Sequence, residues 1–203
     1  MIEIEIDFNP DAKALDWLSR ETEFRGEKTI HDVYFDTPDY ALGRQDRWLR
    51  ARNGRYELKT PIENRSEADI RTAPVSHYRE IEDDAGIKTA LGVSSDVSLN
   101  ACLREMGCVP FCDVTTIRRE YRSGEFSIDV DRATYAGTDF TFQTAEIEVM
   151  VERADQAADG ERRLLAFAHA HGFVPLKTHG KIVEYIKRIR PEQFKILHDA
   201  KTV

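Results

Sequence analysis

The chain opens on Ile2-Glu3-Ile4-Glu5-Ile6-Asp7-Phe8, where apolar and acidic residues alternate at a period of two. That alternation predicts a β-strand with one oily face and one charged face. Asn9-Pro10-Asp11 then starts a helix, whose apolar stripe is Ala14, Leu15, Trp17 and Leu18. Extended segments are predicted at 30–35, 47–60 and about 77–83, the first two joined by the turn-rich Asp36-Thr37-Pro38-Asp39. A helical stretch containing Ala101-Cys102-Leu103 ends near Gly107. Three strands follow at about 113–122, 125–134 and 140–152, the first two meeting at a Ser123-Gly124 turn. Residues 156–171 carry the clearest helical pattern, with Leu164, Leu165, Phe167 and Ala168 on one side and Gly172 just beyond. A last helical region runs from Lys181 and is interrupted at Pro191. Mostly strands with helices inserted, this order predicts an antiparallel α+β fold.

Charged residues two apart on a strand share a face. Such pairs recur at Glu3 and Glu5, Arg50 and Arg52, Glu57 and Lys59, Glu80 and Glu82, Asp129 and Asp131, and Glu146 and Glu148. Arg118, Glu120 and Arg122 extend the pattern over three positions. Any one pair fits the solvated face of an ordinary antiparallel sheet. Repetition over seven segments, with signs clustered by segment, asks for more, because like charges facing one another across a sheet repel. Clustered carboxylates call for a cation and clustered arginines and lysines for an anion. A closed barrel with a charged lumen and helices covering its oily exterior meets both demands.

Composition narrows the partners. Charged residues make up 33% of 203 residues, and the formal net charge is -8. An acidic protein is not a general nucleic-acid binder, though a local basic pocket remains compatible with it. Length suits one domain spanning 1–203, with 181–199 as its C-terminal helical segment. Cys102, Cys108 and Cys112 are odd in number and lack zinc-ligand spacing, so thiols in a reducing, cytoplasmic compartment are expected. No apolar run approaches a membrane span. Carboxylate clusters suit Mg²⁺ or Mn²⁺, and arginine forks suit phosphate. Together they suit phosphoryl transfer, which needs positioning, neutralised charge and an activated water. The Gly-rich phosphate loop is absent.

Glu3-Ile-Glu5, Tyr34-Phe-Asp-Thr-Pro38, Trp48-Leu-Arg-Ala-Arg52, Tyr56-Glu-Leu-Lys59, Tyr78-Arg-Glu80, Asp129-Val-Asp131 and Glu146-Ile-Glu148 resemble, in order, the motifs of the CYTH superfamily of triphosphate tunnel metalloenzymes. The segment from Lys181 to Pro191 resembles the end of thiamine triphosphatases. The resemblance implies an eight-stranded antiparallel β-barrel with helices packed outside, a bound triphosphate and a required Mg²⁺, with Mn²⁺ as substitute. It implies that Arg50, Arg52, Lys59, Arg118, Arg122 and Lys181 grip phosphates. Glu3, Glu5, Asp129, Asp131, Glu146 and Glu148 would hold metal or orient the water. Lys59, Arg52 and Glu80 would form the catalytic group, and Trp48 would stack on the thiamine moiety. Position 7 departs from the family, carrying Asp where Lys is usual, and Tyr34-Phe35 stands where animal relatives carry two tyrosines.

The expected activity is hydrolysis of a triphosphate, foremost thiamine triphosphate to the diphosphate and phosphate. Alternatives are an inorganic tripolyphosphatase or nucleoside triphosphatase, an adenylyl cyclase, and a non-catalytic triphosphate-binding protein motivated by Asp7. The partner is a small-molecule triphosphate, with no nucleic acid or membrane, and the protein is expected to be a monomer. Among the histidines, His179 stands out because it precedes Lys181. Lys187, Arg188 and Arg190 fit a helix C-terminus, which attracts cations.

Overall fold

A computed structural model describes residues 1–62, 75–93, 96–176 and 180–203. Eight antiparallel strands form one ring: β1 (Ile2–Phe8), β2 (Glu23–Asp36), β3 (Trp48–Arg52), β4 (Arg55–Pro61), β5 (Val75–Ile81), β6 (Val109–Ser123), β7 (Phe126–Tyr135) and β8 (Thr141–Val151). Their order is β5-β4-β3-β2-β6-β7-β8-β1, and β1 pairs back onto β5 from Glu3↔Tyr78 to Ile6↔Val75. A two-residue β9 (Pro175–Leu176) continues beside β1 at Asp7 and Phe8. Among the described residues the α-helices are α1 (Ala12–Glu21), α2 (Asp84–Leu91), α3 (Leu99–Glu105), α4 (Ala157–His171), α5 (Gly180–Ile189) and α6 (Pro191–Asp199).

The alternation in β1 becomes a division between outside and lumen. Ile2, Ile4, Ile6 and Phe8 are at most 3% exposed and pack outward with Ala14 and Leu18 of α1 and Leu164 and Ala168 of α4. Burying each of the Ile, Leu and Phe side chains among these contributes about 1.5–3 kcal/mol. Gly160 lets α4 approach closely, since a Cβ there would sit 2.6 Å from Ile4 Cδ1. Across the ring, Leu49 and Leu58 pack outward under Ile87 of α2 and Leu99 and Leu103 of α3.

At one end of the lumen the rule changes. Tyr34, Val114, Ala133 and Tyr135 share the lumen-facing parity of Asp32, Arg118 and Asp131, yet they bury against Ile182, Tyr185 and Ile186 of α5 and Leu197 of α6. The Tyr135 hydroxyl donates to the Lys181 carbonyl at 2.7 Å. The C-terminal helices therefore stop that end of the barrel, and their apolar faces make up part of the core.

Several elements differ from the sequence reading. The extended stretch 47–60 is a hairpin, broken at Asn53 and Gly54, both with positive φ (48° and 86°). Strand β2 begins at Glu23, where exposed positions hide the alternation and a bulge interrupts the register between Phe24 and Gly26. Helix α2 lacked a long apolar period, but Asp83 caps it through the Gly86 amide and Ile87 docks it. Gly124 and Glu125, not Ser123 and Gly124, form the β6–β7 turn, because Ser123 pairs with Phe126. His179 lies outside the described residues. All three cysteines are free thiols. No described helix is long and apolar enough to cross a membrane.

Candidate functional site

The lumen-facing side chains enclose a cavity of about 710 Å³. Its wall brings together Glu3 and Glu5 of β1, Trp48, Arg50 and Arg52 of β3, Lys59 of β4, Glu80 of β5, Arg118 of β6, Asp129 of β7, Glu146 and Glu148 of β8, and Lys181 of α5. Period-two placement on strands accounts for all but Lys181, which reaches the lumen from the first turn of α5. Exposure falls from Met150 (46%) near the mouth to Trp48 (9%) and Lys181 (6%) near the stopped end.

Two candidates stand elsewhere. Arg122 follows the lumen parity but lies past the mouth, exposed, with its guanidinium on the Gly124 carbonyl at 2.9 Å and Ser127 Oγ at 2.7 Å. Asp131, 1% exposed, sits behind the cavity wall. It receives two parallel bonds from Arg118, both 2.7 Å, and one from Lys181 Nζ at 2.7 Å. Asp7, the departure in the opening motif, is opposite Glu146 in register and accepts from Thr144 Oγ1 at 3.3 Å.

Each lumen cation faces carboxylates. Arg50 binds Glu57 at 2.8 Å and makes a close contact with Glu80. Arg52 makes a fork with fully buried Asp32, at 2.9 and 3.2 Å. Lys59 Nζ lies 2.8 Å from Glu3 and 3.4 Å from Glu5. Arg118 also contacts Asp129 and reaches Glu146 at 3.1 Å. Asp32 was missed in the sequence, although its two-residue spacing from Tyr34 on the lumen face was available as a signal.

Carboxylates still outnumber cations around the cavity, and their acidities show it. Burial, reinforced by a hydrogen bond to Glu3 and the charges of Glu3, Asp129 and Glu146, pushes Glu148 up to about 8. Burial likewise pushes Glu5 to about 7 against the pull of Lys59, and Asp129 to about 6 against Arg118. Glu3 goes the other way, to about 2, because Lys59 outweighs the burial. Such crowded, hard oxygen donors suit a divalent cation, which would relieve their repulsion. Among the described residues no three metal-ligating groups already converge on one point, since Lys59 and Arg118 stand between the carboxylates.

Those raised values predict a pH dependence of stability. An unfolded Glu148 or Glu5 titrates near 4.5 and Asp129 near 3.8, so the folded protein binds the extra protons from there up to about 8. Stability from these groups is present at low pH and lost as pH rises through their folded values. With chelator present, Tm is expected to fall between about pH 5 and 8.5 and to fall less in Glu148→Gln. A flat or rising Tm in both proteins would contradict the assignment.

The CYTH domain family matches residues 1–174. The chain belongs to the CYTH family. Human thiamine-triphosphatase is 25% identical over 97% of this chain and 89% of its own length, and the Macaca fascicularis thiamine-triphosphatase is 26% identical with the same coverage. Among solved structures, a Pyrococcus horikoshii protein superposes with a TM-score of 0.59 at 20% identity, covering 93% of this chain and 99% of that one. A putative adenylyl cyclase from Hippeastrum, described as having a dominant triphosphatase activity, superposes at 0.55 with 18% identity, covering 92% and 94%. This CYTH chain thus has the eight-stranded antiparallel barrel expected of it.

Proposed function

We propose that this CYTH protein hydrolyses the terminal phosphate of a small triphosphate, with thiamine triphosphate as substrate and Mg²⁺ or Mn²⁺ as cofactor. The carrying observation is one cavity, open at its mouth, walled by Arg50, Arg52, Lys59, Arg118 and Lys181 together with Glu3, Glu5, Asp129, Glu146 and Glu148. The named thiamine-triphosphatase relatives support the choice of substrate.

Glu3, Glu5, Asp129, Glu146 and Glu148 would hold the metal, which when bound polarises phosphate oxygens and lowers the pKa of water. Binding exchanges one set of ion pairs for another. Phosphate oxygens replace Glu3 and Glu5 around Lys59, and the released carboxylates become free to take a cation. Arg50 and Arg52 present planar forks to the phosphates, held in place by Glu80 and Glu57 on one and Asp32 on the other. As water attacks the terminal phosphorus, the bond to the bridging oxygen breaks and the diphosphate departs with its charge neutralised by these cations.

A substrate panel tests this reading. Thiamine triphosphate is expected to give the diphosphate and phosphate faster than tripolyphosphate or ATP, and only with Mg²⁺ or Mn²⁺. Equal or faster hydrolysis of tripolyphosphate or ATP would reassign the substrate, and cyclic AMP with pyrophosphate would make it a cyclase. Binding without product under every metal would leave a binding protein.

A further inference from the structure

Asp46 lies between β2 and β3 and is not one of the strands' lumen-facing charged pairs; it does not line the cavity, yet it touches two residues that do. It is 8% exposed and ends the 3-10 turn Gly43–Gln45 in a left-handed conformation, φ 55°. The turn is itself fixed, because Asp36 accepts amides from Thr37, Leu42 and Gly43 at 2.7–2.9 Å. One oxygen of Asp46, Oδ1, accepts both Trp48 Nε1–H and the Tyr78 hydroxyl, each at 2.9 Å. Trp48 comes from β3 and Tyr78 from β5, with β4 between them, so this oxygen ties two lumen aromatics across the barrel wall.

We propose that Asp46 is a specificity-setting positioning residue, holding Trp48 and Tyr78 as an aromatic wall that selects a cationic organic group on the triphosphate. This rests on the reading above that the cavity binds a triphosphate, and not on its turnover. A carboxylate that accepts from an indole N–H and a phenol O–H leaves negative charge at the ring edges, and electron-rich ring faces attract cations. Tyr78 already shows that behaviour, with Lys59 Nζ 5.7 Å from its ring centroid. Burial, reinforced by the charge and hydrogen bond of Asp46, also holds the Tyr78 phenol well above its usual range, so it remains a donor. A thiazolium ring gains from such a wall, whereas a neutral ring gains stacking alone.

Trp17→Phe leaves Trp48 as the sole tryptophan, whose fluorescence then reports ligands. The probes are thiamine diphosphate and its neutral analogue in which carbon replaces the thiazolium nitrogen. The cationic ligand is expected to bind at least about tenfold tighter, and Asp46→Asn is expected to shrink that ratio to about twofold. In kinetics, the same variant should lose selectivity for thiamine triphosphate over tripolyphosphate through KM, with kcat little changed. Equal binding of both probes by the unsubstituted protein overturns the inference without any variant, as does a ratio that survives Asp46→Asn. Absence of turnover on every triphosphate, with the binding ratio intact and sensitive to Asp46, would instead sink the hydrolase reading and leave this one standing.

Discussion

Arg52→Ala and Glu148→Ala are each expected to lower turnover at least about 10²-fold, equivalent to about 2.7 kcal/mol of lost transition-state stabilisation. Arg52 reaches the cavity from β3 while Asp32 holds its guanidinium as a fork. Removing it would take away the charge proposed to face the leaving diphosphate and would also leave Asp32 buried without that partner. Arg52→Lys separates these effects, since it keeps a cation near Asp32 but loses the planar fork, and should fall between wild type and alanine. Glu148 sits opposite Glu5 in register at the most crowded part of the acidic wall. Glu148→Gln retains a hydrogen-bonding group beside Glu3 but loses the anionic donor, so turnover should drop as in Glu148→Ala without a comparable loss of stability. Turnover on thiamine triphosphate with saturating Mg²⁺, compared against each variant's Tm, is the measurement. Wild-type rates in both alanine variants would remove these residues from the proposed site.

Asp131→Ala is expected to destabilise the protein by about 3–5 kcal/mol, the usual consequence of leaving buried charge without its partner. Lys181 and Arg118 both converge on this carboxylate and hold its pKa down to about 2 against the effect of burial. Arg118 would keep Asp129 and Glu146, whereas Lys181 would lose the carboxylate that draws the start of α5 to the barrel. Amide exchange in α5 should therefore accelerate more than in β6. Denaturant unfolding and hydrogen exchange read the two consequences separately. An unchanged unfolding midpoint would show that Asp131 anchors neither cation.

Local spacing made much of the cavity legible. Glu3 and Glu5, Arg50 and Arg52, and Glu146 and Glu148 share a face wherever their strands form, because the pleat alternates every residue. Asp129 and Asp131 share that parity too, but only the packing behind Arg118 separates a wall residue from a buried anchor. Arg122 has the right parity and the wrong height along the barrel, which depends on where the β6–β7 turn falls. Asp46 gave no periodic signal, since its role arises from a turn that brings it beside β3 and β5.

By itself, then, the order of residues determined which side chains share a face, and with them the strands, the oily exterior and the acidic and basic character of the interior. Tertiary structure alone decided which cations meet which carboxylates, that the C-terminal helices stop one end, and that one Asp46 oxygen joins Trp48 to Tyr78. The reason is that alternation along a strand is fixed by covalent geometry over two residues, whereas ring closure, strand stagger and helix docking depend on contacts between residues far apart in sequence.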